Sequence, residues 1–265
     1  EWWQADFMRR AFFAIMMIMP LFALLGTMVV NNGMAFFSDA LGHSALTGVG
    51  IGVLLGLTEY SLIMVIFAVI FAFLMNRIRH SRLSSTDTVI GVFSSCGVAL
   101  GLVILSRAGT FSKYQSLLIG DILSISNEQI WILAILLIIV VVLWLLCFNR
   151  FHAVSISPSL ARSKGMAAGL IDNLFVVVIA VVVMMAIRWV GLLIINAMLI
   201  LPAAAARNVA TNMRNYHITS LVFALFSGML GLLLSYYNNG VATGPMIVLV
   251  AAALFFGTFF MREKG

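Results

Sequence analysis

The chain of 265 residues is 63% hydrophobic and only 9% charged, and its mean hydropathy is +1.14. A soluble domain carries about 25% charged residues, so this sequence has too few polar side chains to cover a core in water. The composition therefore excludes a soluble domain and indicates an integral membrane protein. Apolar runs of roughly 20 residues recur along the chain, which predicts spanning helices rather than the short alternating strands of a membrane barrel.

Nine apolar segments are candidate spans, and they predict an all-α fold with eight or nine transmembrane helices. In chain order they cover residues 11–31, 36–56, 60–76, 88–106, 129–149, 169–188, 191–206, 216–237 and 243–261. The seventh is short and contains Pro202, which predicts a broken or partial crossing. No polar stretch is long enough for a soluble domain, so residues 1–265 are predicted to form one transmembrane domain.

The net charge of +6 does not indicate binding to nucleic acid, because the basic residues are scattered among the predicted loops. Membrane topology produces this distribution, since cytoplasmic loops carry an excess of Lys and Arg. If the C-terminus is cytoplasmic, ten basic residues fall inside and five outside, which predicts that orientation. The inside set is Arg77, Arg79, Arg82, Arg150, Arg162, Lys164, Arg207, Arg214, Arg262 and Lys264.

The sequence contains no motif for nucleotide binding or catalysis. None of Lys113, Lys164 and Lys264 lies in a glycine-rich loop, so the chain has no phosphate cradle of its own. It also lacks the H-E-x-x-H and G-x-S-x-G signatures of metalloproteases and serine hydrolases. We therefore predict that the chain is not an enzyme.

Asp39 and His43 interrupt the apolar stretch MAFFSDALGHSALTGVGIG, residues 34–52. Residues four apart share one face of a helix, so a carboxylate and an imidazole project together. This pair suits Zn(II) and Mn(II) as ligands and suits Cu(I) poorly. The alternative is a helix cap or an ordinary ion pair near the turn at 31–33. The residues alone leave both open, although ionisable groups inside a membrane usually mark a pathway.

Small residues recur every four positions beside this pair, and they predict the close approach of another helix. They are Ser44, Gly48, Gly52 and Gly56. Weaker candidate ligands lie farther along the chain, at Ser94, Ser95 and Asp121.

Other polar residues within the apolar runs are predicted to form hydrogen bonds between helices, among them Asp172, Asn173 and Asn196. The remaining histidines are predicted to lie on the surface, in loops beside basic residues. They are His80, His152 and His217.

Several blocks of sequence together resemble the permease subunit of zinc/manganese ABC importers. FFSDALGHSALTGVGIG (36–52) is similar to the D-x-x-x-H helix of that family, and further similar blocks follow in the family's order and spacing. They are DTVIGVFSSCGVALGLVILS (87–106), LLIGDILSIS (117–126), SISPSLARSKGM (155–166), GLLIINAMLILPAAAAR (191–207) and VATGPMIVLVAAALFF (241–256).

The resemblance implies a permease like those of type II ABC importers, in a bacterial plasma membrane. It implies a homodimeric channel, two cytoplasmic ATP-binding subunits that hydrolyse ATP, and an extracytoplasmic metal-binding protein. The chain would hold no permanent cofactor and would transport Zn(II) or Mn(II). FMRRAFFAIMM near the N-terminus and SYY (235–237) are more similar to zinc importers, which favours zinc.

Carried over by position, the D-x-x-x-H motif implies that Asp39 and His43 form the metal transit site. The loop at about 151–168 resembles the segment that docks the ATPase. Within it Pro158 would begin a short helix, Ala161 would present a small contact face and Gly165 would end the helix. The docking residues implied are Ser155, Ser157, Pro158, Ala161, Lys164 and Gly165.

Two features depart from the family. Relatives commonly carry arginine before the D-x-x-x-H helix, where this chain has Asn31, Asn32 and Gly33, and some zinc members have a histidine near Ser94. Two other functions are therefore kept as alternatives. A permease for metal chelates, such as siderophores, haem or cobalamin, would need a wider aromatic cavity and no Asp–His pair. A secondary transporter would need no contact with an ATPase.

Overall fold

The computed structural model describes residues 5–57, 59–81, 85–109, 120, 122–238 and 241–263. The helices in these ranges are α1 (Asp6–Asn31), α2 (Phe37–Leu54), α3 (Ser61–Arg79), α4 (Thr86–Arg107), α5 (Asn127–Ile156), α6 (Pro158–Ser163), α7 (Ala168–Val190), α8 (Leu192–Val209), α9 (Met213–Tyr237) and α10 (Thr243–Glu263). A 3-10 turn, Ile122–Ser124, precedes α5. The described ranges contain no β-strand, which confirms the all-α prediction.

Each of the nine predicted spans coincides with a long helix. In the part of the chain that the structure describes, eight helices are long and apolar enough to cross a membrane. The ninth, α2, is less hydropathic because it contains Asp39, His43 and several glycines. The prediction of eight or nine spanning helices is therefore confirmed.

Two segments differ from the sequence prediction. The seventh span is not broken, because α8 is continuous from Leu192 through Pro202. The chain instead breaks before α8, at Gly191, whose φ of +84° suits a residue without a side chain. In addition, α5 continues to Ile156, well into the predicted loop, since Phe151 and Val154 have apolar neighbours to pack against.

One compact unit is assembled from Glu1–Gly33, Ile119–Leu146 and Trp189–Gly265. Its helices approach closely at glycines. A Cβ at Gly231 on α9 would lie only 2.6 Å from the Cα of Ile247 on α10. Polar contacts also join α9 to α1, where His217 Nδ1 lies 2.9 Å from Thr27 Oγ1. His217 is therefore part of a helix contact and not a surface loop residue, so that prediction is wrong.

The second compact unit consists of Met34–Leu118 and Cys147–Arg188. It holds α2, α3, α4, α6, the C-terminal part of α5 and most of α7. His152 in this part of α5 is only 7% exposed, and its Nδ1 contacts the carbonyl oxygen of Phe148 at 2.8 Å. The prediction that His152 lies on the surface is wrong, because the helix continues past it. His80 follows α3 and is exposed, as predicted.

Helix α2 packs between α3 and α4 at very short range. A Cβ at Gly48 would lie 2.9 Å from the Cα of Met64 on α3, and one at Gly101 on α4 would lie 2.8 Å from the backbone nitrogen of Thr47. Thr47 Oγ1 donates a hydrogen bond to the carbonyl oxygen of Gly97 on α4, at 2.6 Å. These contacts fix the position of α2 in this unit, and α2 carries Asp39 and His43.

Candidate metal transit site

Asp39 and His43 lie in the first two turns of α2. Asp39 belongs to the first turn, where the partial positive charge of the helix N-terminus stabilises a carboxylate. Its Oδ2 is 3.4 Å from Nε2 of His43. The sequence spacing therefore brings the two groups together as expected.

These two residues interrupt an otherwise buried stretch of α2. From Phe37 to Gly50 every residue of α2 is buried except Asp39 and His43. The side chain of Asp39 is 38% exposed and that of His43 is 30% exposed. Because a polar face of this kind is costly against lipid, it belongs on a water-filled cavity or against another protein.

The geometry suits a shared ion as well as a simple ion pair. Two ligands at about 2.0–2.1 Å from a tetrahedral zinc ion lie roughly 3.3 Å apart. The observed separation of 3.4 Å is close to this value, so one ion can bind both atoms with little movement. In the described ranges no group of three or more His, Cys, Asp and Glu residues is placed to hold a metal ion. The pair thus provides half of a tetrahedral set.

Two of the three weaker candidate ligands lie in the described residues. Ser94 and Ser95 lie on α4, where Ser94 is partly buried and Ser95 is exposed. Gly97 of α4 packs against the backbone of Ser44, so Ser94 lies one helical turn before that contact, on the same face of α4. Asp121 lies outside the described residues.

The chain matches a known protein family over nearly its whole length. Residues 4–262 match the ABC 3 transport family. The chain belongs to this family. The match covers all the helices described above except the last residue of α10, so the predicted family is confirmed.

Two curated relatives of this ABC 3 family member carry the names of different metals. It is 27% identical to the manganese transport system membrane protein MntC of Listeria monocytogenes, over 98% of this chain and 92% of the relative. It is 30% identical to the high-affinity zinc uptake system membrane protein ZnuB of Haemophilus influenzae, over 91% of this chain and 92% of the relative.

Solved structures agree with the fold. PsaBC from Streptococcus pneumoniae in complex with Fab matches with a TM-score of 0.83 and 28% identity, covering 97% of this chain and 92% of that one. An inward-facing metal-chelate type ABC transporter matches with a TM-score of 0.71 at 14% identity, covering 96% and 86%, which supports the fold alone.

The segment that resembles an ATPase-docking loop contains α6. Ser157 precedes this helix and its Oγ accepts a hydrogen bond from the backbone N–H of Leu160, while Pro158 is the first helical residue. Gly165 follows the helix with a φ of +77°. The predicted start at Pro158 and end near Gly165 are confirmed, and both follow from ordinary helix-end chemistry. Lys164 is exposed and Ser155 is partly buried.

Ala161 does not present a small contact face. It is only 2% exposed and packs with Val154 of α5 and Ala168 of α7. The outward face of α6 is formed by other residues, including Leu160, which is 56% exposed. The prediction that Ala161 contacts a partner is therefore wrong, because Ala161 is buried within this chain. The sequence does not indicate Leu160 instead, because a six-residue helix is too short to show a clear hydrophobic period.

The small residues of α2 do not all pack. Ser44 lies against α4, and a Cβ at Gly52 would lie 2.7 Å from the Cβ of Tyr60. Gly56 lies beyond the end of α2 with a φ of +68° and open space around it. Gly56 therefore turns the chain and is not a packing residue, because α2 ends before reaching it.

Proposed function

We propose that this chain is the membrane permease of an ATP-driven importer for divalent transition metal ions. The observation that carries the proposal is the polar face of Asp39 and His43 in a stretch of α2, residues 37–50, that is otherwise buried. An ion pair alone would not need an exposed face inside a membrane protein. The relatives named for manganese and zinc transport support a metal ion as the cargo.

An incomplete site suits transport. An ion held by four protein ligands, as in a structural zinc site, would be released slowly, whereas a pathway needs binding that is weak enough to reverse. The missing ligands are water or a second Asp39–His43 pair from another copy of the chain across a twofold axis. We favour a homodimer, because the exposed polar face then lies between copies and away from lipid.

The same proposal assigns the other components. ATP hydrolysis takes place on separate cytoplasmic subunits, because no phosphate-binding loop is found in this sequence. An extracytoplasmic metal-binding protein delivers the ion to the channel. The complex lies in the bacterial plasma membrane with the C-terminus and α6 in the cytoplasm, in agreement with the excess of basic residues on that side.

Both Zn(II) and Mn(II) are expected to enter this site, because relatives named for each match at similar identity. For equal ligands Zn(II) binds more tightly than Mn(II). In proteoliposomes containing the permease, its ATPase subunits and its binding protein, we therefore expect micromolar Zn(II) to inhibit uptake of radioactive Mn(II), while excess Mn(II) inhibits Zn(II) uptake less. ATP-dependent uptake of neither ion would contradict the proposed function.

The outward face of α6 is expected to dock the ATPase. Leu160→Glu places a charge on an apolar contact, so we expect it to reduce both recovery of the ATPase subunits with the purified permease and metal uptake by tenfold or more. Thr211→Glu is the control, since it adds the same charge to another exposed connection, between α8 and α9. Equal recovery and uptake in Leu160→Glu and the control would remove α6 from the docking surface.

A further inference from the structure

Buried polar residues join the C-terminal end of α3 to the first turns of α7, and we refer to Asn76, Arg79, Asp172 and Asn173 as the α3–α7 polar cluster. Asn76 is 2% exposed, and its Nδ2 donates to Oδ2 of Asp172 and to Oδ1 of Asn173, both at 2.8 Å. Arg79 Nη2 donates to Oδ1 of Asn76 at 2.7 Å and lies 3.2 Å from Oδ2 of Asp172. The cluster therefore ties two helices together through four side chains.

The cluster is not a second cation site. The Arg79 guanidinium neutralises the Asp172 carboxylate, and Oδ1 of Asn76 already accepts a hydrogen bond from Arg79. The side chains of Arg79 and Asp172 are 9% and 13% exposed. Separating such a pair would leave an uncompensated charge in a poorly solvated place, which is strongly destabilising. The two helices are thus expected to move together.

On one side, α7 connects the cluster to α6. Ala161 of α6 packs with Val154 and Ala168, and Ile171 of α7 packs against this group. Asp172 is the next residue along α7. A displacement of α6 therefore acts on the same turn of α7 that holds the carboxylate.

On the other side, α3 connects the cluster to α2. Gly48 packs against Met64 and Gly52 against Tyr60, so α3 runs antiparallel to α2 at close range. Extending this register places Asn76 near the start of α2, within about 5–10 Å of Asp39 along the helix axis at 1.5 Å per residue. All these residues belong to the unit formed by Met34–Leu118 and Cys147–Arg188.

We propose that the α3–α7 polar cluster transmits movement of α6 to α2, and so couples ATP hydrolysis to opening and closing of the Asp39–His43 site. This inference rests on the proposed function. When α6 moves with the ATPase, α7 cannot slide past α3 without separating Arg79 from Asp172. Helix α3 therefore follows α7, and α2 follows α3 because their backbones are in contact.

The test compares transport with ATP hydrolysis in the complete complex. Arg79→Met with Asp172→Leu removes the charges and keeps apolar bulk, a replacement that often preserves stability. Arg79→Gln with Asp172→Asn is a second variant, which also removes both charges but keeps polar bulk and an oxygen at position 172 to accept the hydrogen bond from Asn76. Asn208→Leu is the control, because its Nδ2 donates to Thr258 Oγ1 at 3.3 Å and joins α8 to α10 in the other unit. The measured quantity is the number of metal ions transported per ATP hydrolysed.

We expect both cluster variants to assemble, to bind metal and to hydrolyse ATP, but to transport about tenfold fewer ions per ATP, which is within the usual range of coupling between sites. The control should keep the wild-type ratio. A wild-type ratio in either cluster variant would overturn the inference, and so would loss of the assembled complex in Arg79→Gln with Asp172→Asn, because the cluster would then only hold the fold. Absence of metal uptake in the wild-type complex would instead count against the proposed function.

Discussion

Asp39→Ala and His43→Ala should each reduce ATP-dependent uptake of Zn(II) and Mn(II) by about 100-fold or more, while the complex still assembles. Loss of groups that merely support a metal ligand costs about 10–100-fold in affinity or activity, so loss of one of two ligands should cost at least as much. Both side chains are partly exposed, so their removal leaves no large cavity in the core. The measurement is uptake into proteoliposomes at matched amounts of complex.

Removing Asp39 also removes a favourable negative charge from the N-terminus of α2, so a control must separate this effect from the loss of a metal ligand. Asp87 provides a matched control, because it lies in the first turn of α4 as Asp39 lies in the first turn of α2. Asp87→Asn should leave uptake near the wild-type value, whereas Asp39→Asn should lose it. Full uptake in both alanine variants, at normal abundance, would rule out the transit site. Equal losses in the two Asp→Asn variants would assign Asp39 to helix stability instead.

The sequence predicts the helices well because each span is a long apolar run, and a membrane leaves the backbone few alternatives to a helix. Helix α2 is the instructive case. Its hydropathy is lowered by the residues that suggest a function, yet the apolar residues at 36–56 still predict the span. The D-x-x-x-H spacing also predicted the Asp39–His43 contact, because a contact four residues apart is local and needs no knowledge of the fold.

Contacts between distant segments were less predictable. Asp172 and Asn173 were correctly expected to bond to another helix, but their partner Asn76 was not identified. A single asparagine in an apolar span indicates a hydrogen bond without indicating its partner. Ala161 was assigned to the wrong surface for a related reason, since only the packing of α5 and α7 determines which side of α6 is covered.

The tight packing of α2 on α4 leaves no room for a side chain at Gly101 of α4. Gly101→Val should destabilise the permease and abolish most metal uptake. A Cβ at this position would lie 2.7 Å from the Cβ of Leu46, 2.8 Å from the nitrogen of Thr47 and 2.9 Å from the carbonyl carbon of Leu46. Carbon atoms in contact prefer about 3.5–4.0 Å, so the two backbones must separate by roughly an ångström. Overpacking of this kind costs about 1–3 kcal/mol.

Gly91→Val on the same helix is the matched control for Gly101→Val. No atom lies within 4 Å of a Cβ at Gly91, so this variant changes helix propensity without adding a contact. The midpoint of thermal unfolding should fall by several degrees in Gly101→Val and stay close to the wild-type value in Gly91→Val. Uptake should follow the same order, because a shift of α2 displaces Asp39 and His43 together. Equal unfolding midpoints and equal uptake in the two variants would show that the close approach of α2 and α4 does not hold the site in place.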